Sequence, residues 1–246
     1  NQVAGFDKAF KTYLADCLAQ ADCPFSGTVD DALKRVDELL MDLQTTKLKS
    51  QYDREVGLTV ALYGIFAALY SQASWPYLTQ AFDEAFQGDG STLLLLADFY
   101  NDKDPEGGYL SNISEANTAI NCADERAAPE DFAAVKQAAI DASEVFGKYF
   151  AFPELGCLGW PEGKSMVEID YTVGLEVGPL VIGTTGDPAT PYQQAVSLAK
   201  LLSGATLLTF QGEGHTAYGS SQCVNDYVEE YLLGGNLTTL KLRCDS

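Results

Sequence analysis

Residues 179–188 read PLVIGTTGDP and residues 205–215 read ATLLTFQGEGH, and these two stretches decide the fold. Each is a short apolar run that ends in a glycine-containing turn, which is typical of a buried strand. The residues from Tyr192 to Leu202 lie between them and have a helical pattern, and a second helical pattern covers Cys223 to Leu233. This strand–helix–strand–helix order predicts a parallel pair of strands joined by a right-handed crossover.

Asp187 follows the first predicted strand and His215 follows the second. Because the carboxyl ends of parallel strands meet at one edge of a sheet, roughly 4.8 Å apart, we expect the two side chains to be within hydrogen-bonding reach. A carboxylate that orients an imidazole prepares it to take a proton from a serine hydroxyl. His215 is the only histidine in the chain. We therefore predict that Asp187 and His215 are the acid and the base of a catalytic triad in the chain order of α/β-hydrolases.

Each residue also has a plainer interpretation. A single histidine in a loop is more often a surface or packing residue, and an aspartate before proline often only forms a turn. The nucleophile is a further difficulty, because the elbow motif G-x-S-x-G is absent. Ser91 has no predicted strand before it, and neither Ser220 nor Ser221 has the second glycine at the required position.

The chain before Trp160 has a different pattern. Helical periodicity is clearest from Val29 to Leu43, behind Thr28 as a predicted N-cap. No strand is predicted in this region, and the sequence thus divides into a helical part, 1–165, and an α/β part, 166–246. The other predicted helices cover 3–20, 55–72, 76–87, 91–101, 114–126 and 129–149.

The charge balance excludes several kinds of partner. The chain has 15 Lys and Arg against 35 Asp and Glu, a net charge of −20. Nucleic acids and anionic membrane surfaces would repel such a chain, so neither is an expected partner. Solubility is the simplest reason for the acidity, and attraction of a cationic substrate is a second. No cofactor or metal is expected.

Six cysteines occur as three pairs of sequence neighbours. None forms a C-x-x-C motif, and the presence of a single histidine argues against a zinc site. Three disulfides in an exported protein are the favoured interpretation, and six reduced cysteines in a cytosolic protein are the alternative. Of the 15 possible connectivities, proximity favours Cys17–Cys23, Cys122–Cys157 and Cys223–Cys244.

Several stretches resemble the secreted tripeptidyl aminopeptidases of actinobacteria, which are α/β-hydrolases that remove tripeptides from free N-termini. The resemblance is most specific at the C-terminal end, and nearly the whole chain takes part in it. The stretches at the C-terminal end are GTTGDPATPY at 183–192, GEGHT at 212–216, CVNDYVEEYLLGG at 223–235 and Cys244; the earlier ones are WPYL at 75–78, GDG at 88–90, AINCAD at 119–124 and CLGWP at 157–161.

The resemblance implies roles for both parts of the chain. Asp187 and His215 would be the triad acid and base, and residues 1 to about 165 would form a helical cap inserted between the sixth and seventh strands of the hydrolase sheet. The first six strands, the oxyanion loop and the serine elbow would precede Asn1, on the same chain or a separate one. We therefore expect this chain alone to be inactive.

Recognition of a free amino terminus requires carboxylates, and Asp124 and Glu125 are candidates because a disulfide at Cys122 could fix them towards a cleft. Ordinary surface acids are the plainer interpretation. The leading hypothesis is a secreted serine exopeptidase, with a carboxylesterase or another α/β-hydrolase as the alternative among enzymes. A non-catalytic helical binding module is the alternative outside that class, and under it Asp187 and His215 would be dispensable.

Overall fold

The computed structural model describes residues 2–104, 107–124, 132–150, 157, 160–161, 170–172, 174–234 and 242–245. The described residues form nine α-helices and a small sheet of three strands. The helices are α1 (Gln2–Leu18), α2 (Val29–Asp42), α3 (Leu58–Leu69), α4 (Trp75–Phe86), α5 (Ser91–Tyr100), α6 (Ile113–Asp124), α7 (Phe132–Ala142), α8 (Tyr192–Leu201) and α9 (Gln222–Leu232), and the strands are β1 (Leu180–Gly186), β2 (Thr206–Glu213) and β3 (Arg243–Asp245).

The chain divides into two compact units. The first contains the described residues of Asn1–Ala9, Tyr70–Gln72 and Val167–Ser246, and the second contains those of Phe10–Leu69 and Ala73–Met166. The predicted boundary between 165 and 166 lies outside the described residues. The bounds 1–165 for the helical cap stay a prediction.

The sheet of the first unit has the strand order β1-β2-β3, and both pairs are parallel. Gly183 of β1 allows α8 to pack closely, since an added Cβ would lie 2.8 Å from the Cβ of Ala195. Leu208 of β2 packs with Val224 of α9 and Cys244 of β3 in a buried cluster. The predicted strand–helix–strand–helix order is confirmed, and the fold is that of the C-terminal part of an α/β-hydrolase with a helical cap.

A β-bulge interrupts the pairing of β1 and β2 at their carboxyl ends. Thr184 pairs with Phe210, but Gly186 pairs with Glu213, so β2 has one more residue than β1 over this interval. A bulge bends a strand and turns the side chains that follow it. The bulge therefore determines how the ends of the two strands meet, immediately before Asp187 and just before His215.

The second unit is built from helices around aromatic side chains. Phe10 lies 5.1 Å from Phe146, and Phe66 lies 5.0 Å from Phe146, both as edge-to-face pairs. Such pairs add roughly 0.5–1.5 kcal/mol each to the burial of apolar area. Arg54 donates to both carboxylate oxygens of the buried Asp98. In the part of the chain that the structure describes, no helix is both long and apolar enough to span a membrane.

The helices largely follow the predicted periodicity. Thr28 is confirmed as the N-cap of α2, because its hydroxyl accepts from the N–H of Asp31 at 3.2 Å while Asp31 accepts from the N–H of Thr28. The predicted helix 55–72 begins later, at Leu58, because Val56 pairs with Leu48 through two backbone hydrogen bonds of 2.9 Å. The helix also ends at Leu69, three residues before the predicted end at 72.

The prediction of one helix over 129–149 is wrong at its C-terminal end. The helix α7 stops at Ala142, and the Ser143 hydroxyl accepts from the N–H of Phe146 at 3.1 Å, which closes a turn. A separate 3₁₀ turn covers Gly147–Tyr149. The predicted start at 129 and the predicted helix end at 126 lie outside the described residues. The strand β3 was not predicted, since it has only three residues.

The six cysteines form the three disulfides that proximity favoured: Cys17–Cys23, Cys122–Cys157 and Cys223–Cys244. The last one joins α9 to β3. Because β3 is short and pairs only with β2 among the described strands, this covalent link is a major part of what holds it in the sheet.

We expect the double variant Cys223→Ser/Cys244→Ser to lose about 3 kcal/mol of unfolding free energy. Without the disulfide, the unfolded chain regains the conformational entropy that closing this loop removes. The matched control, Cys17→Ser/Cys23→Ser, opens a loop with a sequence separation of 6 against 21, and should lose about 2 kcal/mol. Urea unfolding of the two variants tests this. An equal or larger loss in the control would contradict the prediction.

Candidate active site

Asp187 begins the loop after β1, and its carboxylate is buried, with 4% of the side chain exposed. The N–H groups of Ala189 and Thr190 donate to Oδ1 at 2.9 and 2.8 Å. The Thr190 hydroxyl and the N–H of Thr216 donate to Oδ2 at 3.0 and 3.2 Å. A buried carboxylate is costly unless such donors surround it. The four donors fix the orientation of the carboxylate.

His215 lies in the turn after β2, and its Nδ1 lies 3.0 Å from both carboxylate oxygens of Asp187. The carboxylate can only accept, so Nδ1 is the donor and carries the proton in the neutral ring. The other ring nitrogen, Nε2, is then a proton acceptor. The side chain is 29% exposed, which leaves the ring accessible. The two residues that the sequence predicted to meet are therefore hydrogen-bonded.

The turn around His215 has an unusual backbone. Gly214 has a φ of 105° and Thr216 a φ of 68°. The second value is unfavourable for a β-branched residue, and strain of this kind persists only where surrounding contacts impose it. Here the N–H of Thr216 donates to Asp187, and that hydrogen bond is one such contact.

A cavity of about 510 Å³ lies next to the Asp187 carboxylate. Thr184 contributes a buried hydroxyl to its wall, and this hydroxyl has no hydrogen-bond partner within the described residues. The cavity runs along β1, which has β2 on one side and no described strand on the other. Its wall includes Asp187, Thr190 and Thr216 from the two loops and Val181, Ile182, Ala195 and Leu198 from β1 and α8.

Glu213 is a partly buried carboxylate beside Gly186 that the sequence did not single out. Its carboxylate lies against the Cα of Gly186, where a Cβ would have no room, and its buried Oε2 has no hydrogen-bond partner among the described residues. Burial raises the pKa of this carboxyl above its usual range, and the positive charge of Lys8 offsets part of the increase. A glutamate that ends an apolar run was the only available signal.

Other candidate site residues were considered from the sequence. Asp124 is the last residue of α6 and is exposed, and it belongs to the second compact unit. Glu125 lies outside the described residues. Ser91 donates its hydroxyl to the Asp89 carboxylate, and Ser221 caps α9. These two serines therefore have local structural partners.

We expect Glu213→Gln to stabilise the chain by less than about 1 kcal/mol at pH 7, because it removes a half-buried charge whose Oε2 has no hydrogen-bond partner among the described residues, while solvent screens part of that charge. A raised pKa means that the folded state binds the proton more tightly than the unfolded state does, so this carboxyl lowers stability as pH rises from about 4. The gain should therefore vanish below pH 4. Urea unfolding at pH 3.5 and 7 tests this, with the exposed Glu176→Gln as control. Equal stabilities of wild type and Glu213→Gln at pH 7 would contradict it.

The chain is similar in sequence to a known protein family and to several known proteins. Residues 143–244 match the family model described as TAP-like protein. The serine protease Hip1 of Mycobacterium tuberculosis is 33% identical over 259 residues, which cover 99% of this chain and 49% of that protein. Carboxylesterase B of the same species is 36% identical over 252 residues, with coverages of 99% and 48%. Tripeptidyl aminopeptidase of Streptomyces lividans is 25% identical over 252 residues, with coverages of 99% and 46%.

The chain thus spans about half the length of the curated relatives it matches. The relatives carry the names of a serine protease, a carboxylesterase and an aminopeptidase, and all three are hydrolases. Among the described residues there is no cluster of three or more His, Cys, Asp or Glu that could hold a metal ion. Together with the strand order and the Asp187–His215 pair, the matches assign this chain to the TAP-like family of α/β-hydrolases.

Proposed function

We propose that this chain is the cap and C-terminal catalytic part of a secreted serine exopeptidase that acts on free peptide N-termini. Asp187 and His215 are the acid and the base of its triad, and the serine lies outside this chain. The observation that carries the proposal is the buried Asp187 carboxylate, 3.0 Å from Nδ1 of a partly exposed histidine. That arrangement leaves Nε2 as the proton acceptor.

The two residues would act in both halves of an acyl transfer. Nε2 of His215 takes the serine proton as the serine oxygen attacks the scissile carbonyl, and the imidazolium then gives the proton to the leaving amine. In the second half, Nε2 takes a proton from water, which attacks the acyl-enzyme, and returns it to the serine. Asp187 keeps the ring oriented through Nδ1 and stabilises the imidazolium each time.

The open side of β1 supports a nucleophile from elsewhere. Parallel sheets are normally buried on both faces and have more than three strands, and an unpaired edge is a liability. The relatives are about twice as long as this chain. We propose that the remaining hydrolase strands, with the serine elbow, pair along β1 and fill the adjacent cavity, on the same chain or as a separate partner.

The three disulfides support the location of this protein in an oxidising compartment, because such bonds are rare in the cytosol. The proposed substrate class is inferred from the names of the relatives. Two of these names are those of peptidases, whereas the name Carboxylesterase B favours an ester substrate. Asp124 and Glu125 remain the proposed recognition groups for the substrate amine, and the exposure of Asp124 is compatible with contact to a ligand.

The test uses the complete protein, with a tripeptide arylamide that has a free amino terminus. We expect His215→Ala and Asp187→Asn to lower kcat by about 10³-fold or more, and the matched surface variant Asp226→Asn to retain activity. The N-acetylated arylamide and a simple acyl ester should be poorer substrates. Faster ester hydrolysis would replace the exopeptidase with the carboxylesterase, and no effect of His215→Ala would exclude the triad. An inactive complete protein would favour a binding module.

A separate prediction concerns Asp124 and Glu125, the groups proposed to bind the substrate amine. We expect the double variant Asp124→Asn/Glu125→Gln to raise KM for the free-amine arylamide about tenfold, since charge-assisted hydrogen bonds to the ammonium would be lost. KM for the N-acetylated arylamide should not change, and this substrate serves as the control. An unchanged KM for the free-amine substrate would show that the two acids have no part in recognition.

A further inference from the structure

Tyr70 contacts His215 through both its backbone and its ring. The N–H of His215 donates to the Tyr70 carbonyl at 2.8 Å. The two rings meet edge to face, with centroids 5.0 Å apart and planes at 73°. Tyr70 comes directly after α3, yet it belongs to the same compact unit as Asp187 and His215.

The backbone contact depends on the residue before the histidine. Gly214 has a φ of 105°, and an added Cβ would lie 2.9 Å from the Tyr70 carbonyl oxygen. Such a distance is shorter than normal van der Waals contact, and the φ is one that glycine adopts easily. The Gly214–His215 turn therefore fits against Tyr70 only with glycine at this position.

The ring contact restricts the remaining freedom of the imidazole. With its backbone fixed, His215 can still rotate about its side-chain torsions. Nδ1 contacts both Asp187 oxygens at 3.0 Å and lies 3.4 Å from the Thr190 hydroxyl. These contacts at one nitrogen limit the rotation only partly, because a carboxylate accepts over a broad range of directions. The edge-to-face contact with the Tyr70 ring limits the rotation of the imidazole further. Tyr70 is itself supported by Phe6, whose ring centroid lies 6.1 Å away, and Phe6 is buried.

We infer that Tyr70 is a positioning residue for His215: its carbonyl fixes the backbone, and its ring holds the imidazole with Nδ1 on Asp187 and Nε2 directed away from it. The inference rests on the proposed function, because only a catalytic base needs this orientation. Productive orientation of a base lowers the barrier to proton transfer. The role uses the carbonyl and the aromatic ring, and phenylalanine keeps both, so it should substitute for tyrosine.

The first test needs no activity. Since the chain has one histidine, the ¹⁵N NMR signals of its ring nitrogens report only His215. In this chain, wild type should carry the neutral-ring proton on Nδ1, Tyr70→Leu should mix the two tautomers, and Tyr70→Phe should restore the wild-type pattern. The control is Tyr63→Leu, which removes an aromatic ring that pairs with Tyr100 at a tilt of 34° and should leave the signals unchanged. If the Tyr70→Leu variant does not fold, Tyr70→Met replaces it, because methionine also removes the aromatic ring and keeps an apolar side chain. The same mixture of tautomers is expected.

The second test uses the complete protein. Tyr70→Leu should lower kcat about three- to tenfold, the range that the loss of one aromatic pair corresponds to, with KM changed less than twofold. Unchanged tautomers in Tyr70→Leu would overturn the inference, and so would the same change in Tyr63→Leu or a change in Tyr70→Phe. Because the NMR result does not require turnover, failure of the inference is distinguishable from failure of the proposed function.

Discussion

The buried carboxylate of Asp187 is the interaction on which the rest of the site depends. Placing a charge in the protein interior costs several kcal/mol unless donors compensate for it. The donors come from two loops: Ala189 and Thr190 lie just beyond Asp187, while Thr216 and His215 lie after the next strand. Any shift between the two strand ends would remove donors from the carboxylate. The positions of both loops are therefore constrained together.

Four features supply that constraint. The parallel pairing of β1 and β2 brings the loops to the same edge, and the bulge between Thr184 and Gly186 adjusts where the strands end. The backbone at Gly214 and Thr216 takes positive φ values that a free chain would avoid. Tyr70 holds the turn from outside the sheet. The strain at Thr216 is thus offset by the hydrogen bond that its N–H donates to Asp187.

The sequence predicted the pair but not its support. Asp187 and His215 could be predicted to meet because apolar periodicity marks strands and the rule for parallel sheets is general. The bulge, Tyr70 and Glu213 could not, because each depends on long-range contacts that have no local pattern. The helices were predictable where capping and periodicity agree, as at Thr28, and the prediction was wrong where a local bond interrupts the periodicity, as at Ser143.

We propose that Asp187 and His215 supply the acid and the base to a serine that lies outside this chain. Reaction of the complete protein with a fluorophosphonate, followed by proteolysis and mass spectrometry, tests it most directly. We expect one adduct per molecule, on a serine outside residues 1–246, formed at least about 10³-fold more slowly in His215→Ala. An adduct on a serine within residues 1–246, or a labelling rate independent of His215, would show that the proposal is wrong.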